Sequence, residues 1–75
     1  MIEQLHKSIN DVLNDGGRPP IPSLTREMNL RNDLGLDSLE LAVLTVKLEA
    51  EFGVDVFADG LVSTVGEVED KLRGG

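Results

Sequence analysis

Asp33-Leu34-Gly35-Leu36-Asp37-Ser38-Leu39-Glu40-Leu41 decides how this chain is read. It is an acidic, glycine-containing loop running into a strongly apolar helix. Asp37 stands where an N-cap belongs, and Glu40 three residues later completes a capping box. Ser38 then falls in the first helical turn, where backbone amides lack intrahelical partners and the helix dipole favours an anion. A phosphate esterified to Ser38 would be well placed there. An Asp-Ser pair at a helix start often does no more than cap, so the rest of the chain has to decide.

Downstream, the helix is expected over Ser38 to Phe52 and to end at Gly53. At about 100° per residue its apolar positions form two stripes. Leu41, Leu44, Leu48 and Phe52 make one. Leu39, Ala42, Val43, Val46 and Ala50 make the other. A small domain hides one stripe easily, and hiding two requires a central helix. Either the second stripe is core, or Leu39, Val43 and Val46 face a partner.

Upstream, Ile2, Leu5, Ile9, Val12 and Leu13 repeat at helical spacing, and Asn14-Asp15-Gly16-Gly17 ends that helix with a left-handed glycine. His6 on it reads as a surface histidine, with no second ligand to hold a metal. Arg18 to Leu36 is a long first loop. Pro19, Pro20 and Pro22 forbid a regular helix, and Ile21, Leu24, Met28, Leu30, Leu34 and Leu36 are available to pin it to the core. Val54-Asp55-Val56-Phe57 alternates like a strand but has no strand to pair with. It reads as a connection into a short helical turn near Phe57 to Leu61. A last helix begins at Thr64, boxed by Glu67, with Val65, Val68 and Leu72 on its buried edge.

Composition narrows the class. The 75 residues imply one domain, 1–75, near the lower size limit for a self-sufficient core. With 40% hydrophobic residues, only two aromatics and no cysteine, the expectation is an all-α aliphatic bundle without disulfides or thiolate metal sites. The net charge is −7. From Asp33 to Asp59 seven carboxylates face Lys47 alone, so −6 of it surrounds the Ser38 helix. Such a field repels nucleic acid and anionic membranes, and it steers basic partners. No apolar run is long enough to span a bilayer and no signal peptide opens the chain, so a cytoplasmic protein is expected. A monomer is also expected.

Three stretches carry a family resemblance: Asn32-Asp33-Leu34-Gly35-Leu36-Asp37-Ser38-Leu39, Leu48-Glu49-Ala50-Glu51-Phe52-Gly53-Val54 and Ser63-Thr64-Val65-Gly66-Glu67-Val68. In these, and in the long first loop before the serine helix, the chain resembles the acyl carrier proteins over nearly its whole length. The resemblance implies a small bundle of three main helices plus one short helix. It also implies a protein that is not an enzyme. A phosphopantetheinyl transferase (carrier protein synthase) would use the Ser38 hydroxyl to attack coenzyme A, leaving 4′-phosphopantetheine in phosphodiester linkage. Asp37 and Leu39 flank that attachment point. The arm would carry acyl or aminoacyl groups as thioesters among loading and acyl-transferring enzymes. Glu40, Val43, Val46 and Glu49 are the expected partner-binding residues. Carrier proteins of fatty acid synthesis typically place acids on this face, whereas here stand Val43 and Ala50, with Lys47 beside them. That departure brings polyketide, lipid-modification and aminoacyl-carrier pathways into view alongside fatty acid synthesis. The residues agree on the absence of hydrolytic chemistry. Ser38 has no candidate base, and Leu36 and Glu40 stand where a nucleophile elbow needs glycines.

One alternative comes from the other end of the chain. Leu72-Arg73-Gly74-Gly75 is similar to the tails of ubiquitin-like modifiers and sulfur carriers, which are activated at the terminal diglycine. Those proteins need a β-grasp sheet, and the helix caps and helical periodicity of this chain point elsewhere.

Overall fold

Glycines and capping boxes divide the chain into three helices: α1 (Ile2–Asp15), α2 (Ser38–Phe52) and α3 (Val65–Leu72). The computed structural model describes residues 2–58, 60 and 62–74. α1 ends in a Schellman motif. Gly17 adopts φ +74°, its N–H reaches the Asn14 carbonyl at 3.0 Å, and the Arg18 N–H reaches that of Leu13 at 2.8 Å. α2 is capped at both ends. Asp37 and Glu40 form the full capping box, and Gly53 at φ +71° returns its N–H to the Glu49 carbonyl. α3 opens on a second complete box, Thr64 with Glu67.

The core is aliphatic and draws on every segment. Leu5, Ile9, Val12 and Leu13 of α1 meet Leu44 and Leu48 of α2 and Val65, Val68 and Leu72 of α3. Leu30, Leu34 and Leu36 of the first loop and Val56 of the second complete it. α2 turns only one of its two apolar stripes inward. Leu44 and Leu48 are buried, with Leu41 and Phe52 packed at the margin of the core, while Leu39, Val43 and Val46 are exposed. A polar seam locks α1 beside α2. The Ser8 hydroxyl donates to the Glu51 carboxylate at 3.2 Å, and Lys47 lies between Asp11 and Glu51.

The first loop is tied down at several points. The Asn10 side chain accepts from the Ile21 N–H at 2.8 Å and donates to the Ile21 carbonyl at 3.3 Å. That carbonyl also meets His6 Nε2 at 2.6 Å. His6 is therefore half-buried and fastens the loop, rather than being the surface histidine expected from its place on the helix. Further along, the Arg26 and Met28 carbonyls accept from Gly66 and Val65, and the Leu30 N–H donates to Ser63. The Arg26 guanidinium pairs with Asp70 and Glu69, which raises its pKa above the ordinary value. Gly66 allows this approach, since a Cβ there would lie 3.2 Å from the Arg26 carbonyl oxygen.

One further expectation changes, and the alternative set aside in the sequence fares no better. The short fourth helix is not formed by the described residues of its span. Asp55 starts a turn by accepting from the Phe57 N–H at 3.1 Å, and Ala58 and Gly60 bond back to Asp55 and Phe57. Gly60 at φ +128° leaves helical space altogether. Asp59 and Leu61, also within that span, lie outside the described residues. The diglycine reading loses its fold. Among the described residues there is no strand, only an isolated bridge between Asn29 and Thr64, so they form no β-grasp sheet. Gly75 lies outside the described residues.

Candidate functional site

The loop before α2 is built by hydrogen bonds within Asn29–Leu36. The Asn29 side chain accepts from the Arg31 and Asn32 amides, both at 2.9 Å. Asp33 accepts from the Asn29 N–H at 2.6 Å, and the Leu36 N–H returns to the Leu30 carbonyl at 3.0 Å. Leu34 and Leu36 turn into the core. Gly35 between them takes φ +72°, and a Cβ there would stand 2.5 Å from Arg18 Nη2. The left-handed backbone favours glycine at this position, and a side chain would also have to displace the end of Arg18.

The chain then enters α2. Asp37 Oδ1 accepts from the Glu40 N–H at 2.8 Å, and Glu40 Oε1 accepts from the Asp37 N–H at 3.0 Å. Because Asp37 takes the capping role, the Ser38 side chain is left for something else. Ser38 is exposed, and its Oγ accepts from Arg31 Nη2 at 3.0 Å. Beside it runs a groove of ≈ 230 Å³ lined by Arg31, Ser38, Leu41, Ala42, Thr45 and Phe57. Arg31, Leu41 and Phe57 also wall a second hollow of ≈ 290 Å³ that reaches Val62 and Ser63.

Of the other residues singled out in the sequence, Leu39 is 72% exposed, Val46 70% and Val43 42%. Glu49 is exposed further along the helix. Val43 and Val46 line a shallow depression with Ala42, Asp15 and Lys47. Glu40 does not join this face. It is only 8% exposed and is held by Arg18 Nη1 at 2.6 Å as well as by the capping box. With its carboxylate spent on the helix start and the first loop, it offers a partner almost nothing. Leu39, Val43, Val46 and Glu49 remain on the exposed side of α2.

Two residues escaped the reading of the sequence: Arg18, which clamps Glu40, and Arg31, which reaches Ser38. The signal for Arg31 was present but faint. Asn29 is a strong turn starter, and a turn between Asn29 and Leu36 folds position 31 back toward the helix start. Among the described residues no cluster of His, Cys, Asp and Glu fits a metal ion, and no helix is long and apolar enough to cross a membrane.

Comparison with known proteins returns a consistent set of relatives. The family model described as the phosphopantetheine attachment site matches residues 3–72. Acyl carrier protein MbtL of Mycobacterium sp. (strain MCS) is 36% identical over 73 residues, covering 95% of this chain and 82% of that protein. The acyl carrier protein of Lactobacillus acidophilus is 33% identical over 73 residues, 95% of this chain and 91% of its own. That of Saccharopolyspora erythraea is 38% identical over 68 residues, 88% and 72% of the two chains. No solved structure matches.

Proposed function

Because the chain belongs to the acyl carrier protein family, we propose that it attaches 4′-phosphopantetheine at Ser38 and carries acyl or aminoacyl intermediates for a dedicated biosynthetic pathway. The protein is a carrier and not an enzyme, and its cofactor is bound covalently. When attached, that cofactor supplies a terminal thiol able to hold cargo as a thioester. The chain's own residues supply the rest. Ser38 Oγ is the acceptor oxygen, open to an incoming transferase. Asp37 and Glu40 fix the first turn that presents it. Leu39, beside it and largely exposed, offers apolar contact to whatever approaches. The observation that carries the assignment is that Asp37 does the capping, leaving the Ser38 hydroxyl exposed at the helix start and touched by Arg31.

The residues fit the group. The serine lies at the open amide end of α2, where negative charge is favoured, and a cation already touches its oxygen. The partner face also supports a dedicated pathway. It presents Leu39, Val43 and Val46 together with Glu49, a mostly apolar stripe with limited charge. Enzymes that read it would match apolar surface more than dense acid.

Incubation with coenzyme A and a broad-specificity phosphopantetheinyl transferase tests the attachment. Intact mass spectrometry should show one arm on the wild type and none on Ser38→Ala. Modification of the alanine variant would refute Ser38 as the site. The same measurement on protein isolated from its native host would identify the cargo.

A further inference from the structure

We propose that Arg31 binds the phosphodiester at the root of the arm and sets the direction in which the arm leaves Ser38. The inference rests on attachment at Ser38 and extends it to a residue on a different segment of the chain.

Arg31 differs from the other cations near the helix. Arg18 is paired with Glu40, Arg26 with Glu69 and Asp70, and Lys47 with Asp11 and Glu51. In a chain of net charge −7, Arg31 has no salt bridge among the described residues, and its one side-chain hydrogen bond goes to Ser38 Oγ. In a strongly acidic chain this arginine is thus aimed at a neutral hydroxyl. Esterification places phosphorus one bond, and the phosphoryl oxygens two bonds, beyond that Oγ, within reach of the same guanidinium. The neutral contact then becomes a charge-assisted one, and the planar fork of arginine suits two phosphoryl oxygens at once.

The base of Arg31 is held firmly enough to impose a direction. Its amide is fixed by the Asn29 side chain, its carbonyl accepts from the Gly35 N–H at 3.0 Å, and the flanking Leu30 is buried. Arg31 also walls the groove that passes Leu41, Ala42, Thr45 and Phe57. A phosphodiester held by Arg31 is therefore drawn to the groove side of Ser38, away from the outer face that carries Val43 and Val46.

The test compares apo and holo forms of the wild type, Arg31→Gln and Arg31→Lys. Intact mass first establishes that each holo sample carries one arm and that Ser38→Ala carries none. The phosphorus-31 NMR resonance should then differ between the wild type and Arg31→Gln at low salt, and the two should converge at high salt as the contact is screened. Arg31→Lys keeps the charge without the fork and should fall between them. The change in Tm on modification should be more positive in the wild type than in Arg31→Gln by about 1–8 °C, the range for an exposed ion pair in a domain of this size. Equal resonances and equal Tm changes, with the arm on Ser38 in all three, would overturn the role of Arg31 and leave the attachment intact. An arm on Ser38→Ala would remove both.

Discussion

Gly35 and Glu40 show how single residues hold the serine in place. Gly35 combines a left-handed backbone with Arg18 packed where a side chain would begin. Gly35→Ala should lose about 1–2 kcal/mol from the backbone alone, and more if Arg18 is displaced. Urea denaturation measures it, and an unchanged midpoint would show that the loop relaxes freely. Glu40→Ala removes half of a capping box and strands Arg18, and should cost about 1–2 kcal/mol. Any slower modification of that variant then reflects a damaged helix start. The sequence made the Asp37–Glu40 box plain because both partners lie within one helical turn. It could not show the Arg18–Glu40 or Arg31–Ser38 contacts, whose partners are joined only through the path of a long loop. Reading Glu40 as a surface acid failed for the same reason, since its burial depends on a guanidinium 22 residues away in sequence.

At the scale of elements, α2 and α3 make separate predictions. The inward stripe of α2 should be costly to trim and the outward stripe cheap. Leu48→Ala should lose about 2–5 kcal/mol, whereas Val46→Ala should lose well under about 1 kcal/mol. Thermal melts decide it, and equal losses would mean that both stripes are core. In α3, hydrogen bonds from the Ser63 and Thr64 amides hold the Glu67 carboxyl below its usual pKa. A depressed pKa contributes stability above the ordinary glutamate range, and that stability is lost as pH falls through the folded value. The wild type should therefore be more stable than Glu67→Gln near neutrality, with the gap closing in acid. A gap in Tm that stays constant with pH would count against the charged cap. All three helices and both boxes were legible locally, from periodicity, Asp or Thr starts and glycine stops. The short turn at Val56–Ala58 was not, because a few residues carry too little periodicity to separate a turn from a helix. The ties from the first loop to α1 and α3 were equally invisible, being contacts between segments far apart in sequence.

The whole molecule is set by charge as much as by its core. With −6 of the net −7 between Asp33 and Asp59, the folded state compresses like charges that the unfolded chain can spread. Added salt or divalent cations should therefore raise Tm modestly, and a Tm that is flat or falling across the salt range would contradict this. Encounter with a transferase should respond in the opposite sense, slowing as salt rises if the field steers a basic partner. Glu49→Gln, which alters an exposed acid without touching the capping box, is the clean variant for that measurement. The exposed row of Leu39, Val43 and Val46 has one more consequence. Two copies could cover these apolar side chains by pressing face to face, yet each approaches the other with the same negative sign. The acidic surroundings then act as a colloidal guard, keeping molecules dispersed in a crowded solution while leaving the row open to an oppositely charged visitor. The guard should fail near pH 4.4, where the sequence carries no net charge. Light scattering there should report self-association that Val46→Ser weakens.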